Sequence, residues 1–363
     1  MSQINTNAIL DASGGTTATV NGFTPTVSNM AGRNRIINGD MRIDQRNAGA
    51  SVTPAASTYT LDRFKVEISQ ASKLSVQQNA GAVTPPTGFT NYLGITSTSA
   101  YSLAAGDFFL LSQRIEGFNV SDLGWGTANA AAVTLSFRVR SSLTGTFGGV
   151  FTNSAQDRSY PFTYTIAAAN TWTTISVSIA GDTSGTWVTN NGVGLFVYFG
   201  LGVGPTYGSG TAGAWAAGNI FAASGCVSVV GTSGATFYIT GVQLEAGSVA
   251  TSFEHRHYEQ ELALCARYYW QRTLAEQGIR YVAFAGVQNT GSIQTMISMP
   301  ATMRVDPTVS ASSFAQNNLG ATPTAVSGTT FNGNSLRLGL TVSGATTNNV
   351  GNVSVDVTLN SEL

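Results

Sequence analysis

His255 and His257 stand two residues apart in the stretch TSFEHRHYEQELALCARYYW, residues 251–270. Imidazole nitrogens are the commonest transition-metal ligands, so a metal is the first chemistry to consider. On a strand the two rings would share a face; on a helix they would not. The plainer expectation is two polar residues at a strand-to-helix junction.

Other chemistry has fewer candidates. No histidine lies outside 255–257 to serve a nucleophile, and G-x-S-x-G, H-E-x-x-H and C-x-x-C do not occur. GSGTAG (208–213) matches G-x-G-x-x-G, but no helical pattern follows it, so a phosphate cradle is not expected. Glycoside hydrolysis needs two acids across a cleft. Asp107, Asp122, Asp157 and Asp182 fall instead at strand ends and turns, where Asp serves the backbone. A non-catalytic protein is expected.

The aromatic residues divide by setting. Trp172 precedes the alternating TISVSI and is expected in a core. Trp125 in DLGWGTAN, Trp187 in TSGTWVTNNG, and Tyr207 and Trp215 in GPTYGSGTAGAWAAG lie in Gly-rich loops. Rings exposed there could stack on the C–H faces of sugars, with Asn, Asp and Gln taking the hydroxyls. The competing reading has them plugging loop bases or subunit contacts.

Such loops need strands to hold them, and the composition agrees. Charged residues are 10% of the chain, glycines number 41, and Lys65 and Lys73 are the only lysines. The remaining polar surface is mostly Ser and Thr, which suits a turn-rich β protein. A net charge of −1 without a basic tract makes nucleic acid and anionic membranes poor partners. Cys226 and Cys265 could pair in principle, but one sits on a strand-like run and the other on the helix, so two buried thiols are expected, in a protein made in a reducing cytoplasm.

Residues 60–69, 92–99, 107–117, 131–142, 171–181, 194–204 and 235–247 are rich in β-branched and aromatic residues. In VTLSFRVR, Val133, Leu135, Phe137 and Val139 fall on one face and Thr134, Ser136, Arg138 and Arg140 on the other. Repetition of this pattern over about two hundred residues without a helix predicts an antiparallel β-sandwich. Residues 1–32 have too few apolar side chains for a core and read as an extended arm ordered by a partner.

The stretch at 251–275 predicts a helix of about four turns. Thr251 and Glu254 fit a capping box, and a start near His257 is the alternative. Tyr258, Leu262, Cys265 and Tyr269 form its apolar stripe, with Glu259 and Glu261 early and Arg267 and Arg272 late. Beyond it the pattern returns to β and predicts a second, smaller sandwich over 276–363.

NRIINGDMRIDQRNAG (34–49), YTLDRF, LSQRIEG, TLSFRVRSSLTGTFG and above all GVQLEAGSVATSFEHRHYEQELALCARYYW (241–270) resemble the tail-fibre and related virion proteins of tailed bacteriophages. The resemblance covers most of residues 33–363. It implies an all-β protein with an attachment arm (1–32), a jelly roll like that of carbohydrate-binding modules (33–250), a connecting helix (251–275) and a C-terminal β domain (276–363). It also implies a homotrimer in the virion whose distal domains touch host-surface glycan, with Trp125, Trp187, Tyr207 and Trp215 as candidate sugar contacts. A head fibre or capsid decoration is the alternative, and a glycan-trimming tail enzyme a more distant one. Trimeric fibres also make six imidazoles from His255 and His257 available to one metal. Jelly rolls of this kind often hold structural calcium, for which Asp62 and Glu245, near the first and last strands, are the acids to try first.

Overall fold

The computed structural model describes residues 32–272, 283–289, 292–317, 322–332, 335–343 and 350–363. The arm predicted over 1–32 lies outside them apart from Gly32. The chain divides into two compact units, Met1–His255 and Arg256–Leu363. Among the described residues no helix is long and apolar enough to cross a membrane.

The first unit contains β1 (Thr58–Leu61), β2 (Phe64–Ile68), β3 (Leu74–Gln78), β4 (Leu93–Ser97), β5 (Phe108–Glu116) and β6 (Val133–Ser141). It continues with β7 (Gly145–Thr152), β8 (Arg158–Ile166), β9 (Thr173–Ile179), β10 (Val193–Val203), β11 (Ala216–Ala217) and β12 (Thr236–Ala246). They form a seven-stranded sheet, β1-β2-β5-β10-β7-β8-β11, and a five-stranded sheet, β3-β4-β12-β6-β9. The pairings are antiparallel, and the two sheets share one core: a jelly-roll β-sandwich.

Alternation explains that core. Val133, Leu135, Phe137 and Val139 of β6 are buried in it, as are Val197 and Phe199 of β10. Phe137 meets Tyr164 and Phe199 edge-on at 5.1 and 5.2 Å. Each such ring contributes about 1.5–3 kcal/mol by leaving water. At the sheet edge, β9 alternates as predicted, but Ile175 and Val177 are only half-buried.

The β7–β8 hairpin is harder to read from sequence because glycines and Pro161 interrupt its pattern. Gly149 is required by packing: a Cβ there would lie 2.1 Å from the Tyr198 carbonyl oxygen and 2.5 Å from the Phe162 ring. Pro161 pairs with Val150 on the β7 side, beyond the two residues that β11 pairs on the other. No neighbouring strand therefore loses a donor.

The segment before β1 is built into the sandwich by side-chain amides. Asn38, buried and left-handed at φ 59°, donates to the carbonyls of Ile43 and Asp62 and accepts from the Ile43 N–H. Gln113 and Ile37 exchange two hydrogen bonds, at 2.8 and 2.9 Å.

The second unit opens with α1 (Tyr258–Ala266) and β13 (Tyr269–Arg272). It continues with β14 (Ala283–Asn289), β15 (Ser292–Ser298), β16 (Thr308–Asn317), β17 (Thr322–Asn332), β18 (Ser335–Ser343) and β19 (Val350–Asn360). These strands make one antiparallel sheet, β13-β19-β14-β15-β18-β17, with β16 also on β19. Ile297, Leu336, Leu338, Leu340, Val355, Val357 and Leu359 gather in its core.

The helix is nine residues long, not the four turns predicted over 251–275, and it takes the later of the two starts. Thr251 and Glu254 do not cap it, because each has partners within the first unit. At the other end, Tyr269–Arg272 leave the helical pattern to pair with Val357–Asn360 of β19. Of the predicted stripe, Cys265 is buried and Tyr258 is exposed. The buried acid Glu261 is met by Arg256 at 3.3 Å.

Candidate functional site

The four aromatic residues singled out in the Gly-rich loops do not form one surface. Trp125, Trp187 and Trp215 form a mutual edge-to-face triad, with centroids 4.8, 5.4 and 5.5 Å apart. Tyr160 adds a fourth ring, 5.3 Å from Trp215. Trp125, expected to be exposed, is 8% exposed and part of the core. Its turn is made by Gly124 and Gly126, both with positive φ, and a Cβ at Gly126 would meet the Trp187 ring at 3.0 Å.

Every indole N–H of the triad is already bonded to a backbone carbonyl. Trp125 donates to Ala131 at 2.7 Å, Trp187 to Ser184 at 3.1 Å and Trp215 to Ala180 at 2.7 Å. Beside them Arg158 grips the buried Asp182 with two hydrogen bonds, 2.7 and 2.8 Å. The triad ties the end of β9 to the loops beside β8 and plugs that side of the sandwich. Trp187 and Trp215 remain half-buried.

Trp172, expected between the sheets, lies on the outside of the five-stranded sheet. It is half-buried, 5.6 Å from Tyr92, and donates to the Thr84 carbonyl at 2.9 Å. The residue precedes β9 at the sheet edge, where the alternation does not carry it inward.

Tyr207 belongs to another cluster, on the outer face of the seven-stranded sheet. It packs 4.9 Å from Phe221 and 6.1 Å from Phe108, with Leu110, Val150, Phe196 and Tyr198 in the same cluster. Strand register sets a row across this face: Tyr59 opposite Lys65, Lys65 opposite Ser112, Ser112 opposite Tyr198. A second row puts Arg114 opposite Phe196. The Phe196 and Tyr198 rings stack at 5.4 Å and 12°.

Polar groups lie over this aromatic floor. The Arg114 guanidinium sits 5.1 Å from the Phe196 centroid and 3.4 Å from Glu67. Ser112 Oγ lies 2.8 Å from Glu67 Oε1, and Gln156 donates to the Tyr198 hydroxyl at 2.9 Å. Arg46 and Lys65 stand 5.1 and 5.8 Å from the centre of the Tyr59 ring. Burial first, and then Glu67, push the Tyr198 hydroxyl well above its ordinary pKa, so it stays a neutral hydrogen-bonding group. The face therefore sets half-buried Tyr59 and Tyr207, with carboxylate, guanidinium, ammonium and amide, over buried Phe196 and Tyr198; the partly exposed groups are of the kinds that hold a polyhydroxylated ligand.

The candidate metal ligands have other occupations. Asp62 accepts from the Gln45 backbone N–H and side-chain amide, at 2.7 and 2.6 Å. Glu245 accepts from Thr251 N–H and Oγ1 and from Gln243, at 2.8, 2.6 and 2.9 Å. His255 packs on Phe253 and Phe89, at 4.9 and 5.5 Å, while His257 precedes the first turn of α1 in the second unit. Among the described residues no group of three or more His, Cys, Asp or Glu could hold a metal ion. Cys226 lies in the first unit and Cys265 in the second, both as thiols; Cys265 is buried as expected, while Cys226 is only half-buried.

Sequence reasoning missed the outer face because it sought exposed rings in loops. The signal was present in GLFVYFG, where Phe196 and Tyr198 interrupt the alternation of Leu195, Val197 and Phe199. A continuous apolar run marks a strand covered on both faces.

No protein-family model matches this chain, and no curated protein matches it. Similar solved structures include a CBM4 module, at 14% identity and a TM-score of 0.28, covering 58% of this chain and 98% of that one. TmCBM61 in complex with beta-1,4-galactotriose is 9% identical, with a TM-score of 0.29 over 59% of this chain and 99% of that one. A sugar-binding protein of Bacteroides thetaiotaomicron, so described provisionally, is 13% identical, with a TM-score of 0.35 over 59% and 100%. At these scores the role of the site rests on its own geometry.

Proposed function

We propose that this chain is a non-catalytic structural protein of a bacteriophage virion, a homotrimeric tail fibre attached through residues 1–32, which binds host-surface glycan. The virion and the trimer rest on the sequence resemblance over 33–363, and the arm on the scarcity of apolar residues in 1–32. The glycan reading is carried by one observation: half-buried Tyr59 and Lys65, with Glu67 and Arg114 beside them, lie over buried Ser112 and Tyr198 on the outer face of the seven-stranded sheet. An aromatic π face beside fixed donors and acceptors suits the C–H face and hydroxyls of a sugar, and three copies would multiply a weak site through avidity.

Two measurements test this. The purified chain is expected to be retained on polysaccharide extracted from the host surface, and antibody against it to label the tails of particles. Label on capsids with no polysaccharide retained would replace the tail fibre by a head fibre or decoration. One observation favours that second reading: Phe196 and Tyr198 are already covered, at 6% and 0% exposure.

A further inference from the structure

The Thr251/Glu254 pair resembles a capping box, yet it caps no helix, and what it does instead has a consequence of its own. The Glu254 carboxylate receives the backbone N–H of Gly32 on one oxygen, at 2.7 Å, and that of Asn34 on the other, at 2.8 Å. Arg33, between them, donates to the Ser252 carbonyl at 2.8 Å. Thr251 is fixed by Glu245, and Gln243 accepts the Glu254 N–H at 2.8 Å while its amide reaches toward Glu245, Thr251 and Ser252. The first described residues of the first unit are thus strapped by its last ones.

Beneath the strap the same segment meets β12. Asn34 accepts the Leu244 N–H at 3.1 Å, and the Arg35 N–H donates to the Leu244 carbonyl at 2.8 Å. Entry segment, β12 and exit segment lie side by side in one seam. The seam has two layers: a buried one through Asn34 and a more exposed one through Glu254.

We propose that Glu254 bolts a strap, residues 251–254, that holds the root of the N-terminal segment at 32–34 and can open without the sandwich unfolding. The carboxylate follows the root by 220 residues in sequence, so the root docks only on a completed β12 and exit segment. Charge-assisted hydrogen bonds to two backbone donors are strong when made and are lost together when the carboxylate leaves. Local opening of this kind is a cooperative event separate from global unfolding. The inference does not depend on the glycan reading.

Trypsin reads the state of the strap, because Arg33 and Arg35 are cleavage sites within the seam. In the full-length chain, Glu254→Ala is expected to speed cleavage after Arg33 by about tenfold or more, with faster amide exchange over 32–34, while the melting temperature stays within a few degrees of wild type. Asn34→Ala, which opens the buried layer, is expected to lower the melting temperature clearly. Unchanged cleavage in Glu254→Ala would overturn the proposal, since Asn34 and Arg35 would then hold the root unaided. A fall in melting temperature equal to that of Asn34→Ala would overturn it too, by making the carboxylate part of the framework rather than a bolt.

Discussion

Trp125 and Trp187 meet edge-to-face at 4.8 Å, one ring buried in the core and the other half-buried over it. Both come from Gly-rich loops, yet their indole N–H groups are spent on backbone carbonyls. Trp125→Ala is therefore expected to cost about 3–5 kcal/mol in chemical denaturation, as a core truncation does. A double-mutant cycle with Trp187→Ala should give a coupling of about 0.5–1.5 kcal/mol beyond area burial.

Trp172 invites the opposite contrast. Its half-buried place outside the five-stranded sheet makes Trp172→Ala a milder change, about 1–2 kcal/mol in the same measurement, within the ordinary range for single substitutions.

The Arg158–Asp182 pair is a sharper test of the plugged end. Asp182 has 3% of its side chain exposed and is held by both arms of the guanidinium. Arg158→Ala leaves that carboxylate buried without its cation and is expected to cost about 3–5 kcal/mol. Urea unfolding at neutral pH measures it.

How much of this was legible in sequence differs between elements. The alternation in VTLSFRVR gave β6 and its inward face, because period two has a single reading when one side is wet. The triad was not legible: Trp125 turns inward through Gly124 and Gly126, and which way a loop ring points depends on partners far along the chain. Helix length was misread for a related reason. Glu254 and Tyr269 each fit the helical pattern, but one is drawn to Asn34 and the other to Asn360. Local propensity yields to such long-range partners.

Acid sensitivity follows from Asp107. Burial alone would raise its pKa, but the Ala104 N–H and the Ser69 and Tyr101 hydroxyls together hold it below 3.8. A depressed folded-state pKa contributes stability above the unfolded value that is lost as pH falls through the folded one. The melting temperature of the wild type is thus expected to drop as pH falls through and below 3.8, and Asp107→Asn to flatten that part of the profile. An unchanged slope would remove Asp107 from the account.

The central claim is that the outer face of the seven-stranded sheet, not the tryptophan triad, holds glycan. The most direct measurement compares retention of two double variants on host polysaccharide, with equal melting temperatures checked first. Lys65→Ala/Arg114→Ala is expected to lose about tenfold or more in affinity, because a few anchors dominate most binding surfaces. Trp187→Phe/Trp215→Phe, which keeps a ring at each position, is expected to bind within about twofold of wild type, since the exposed surface there changes little. Retention that survives the first pair and falls with the second would contradict the account and return the site to the loops.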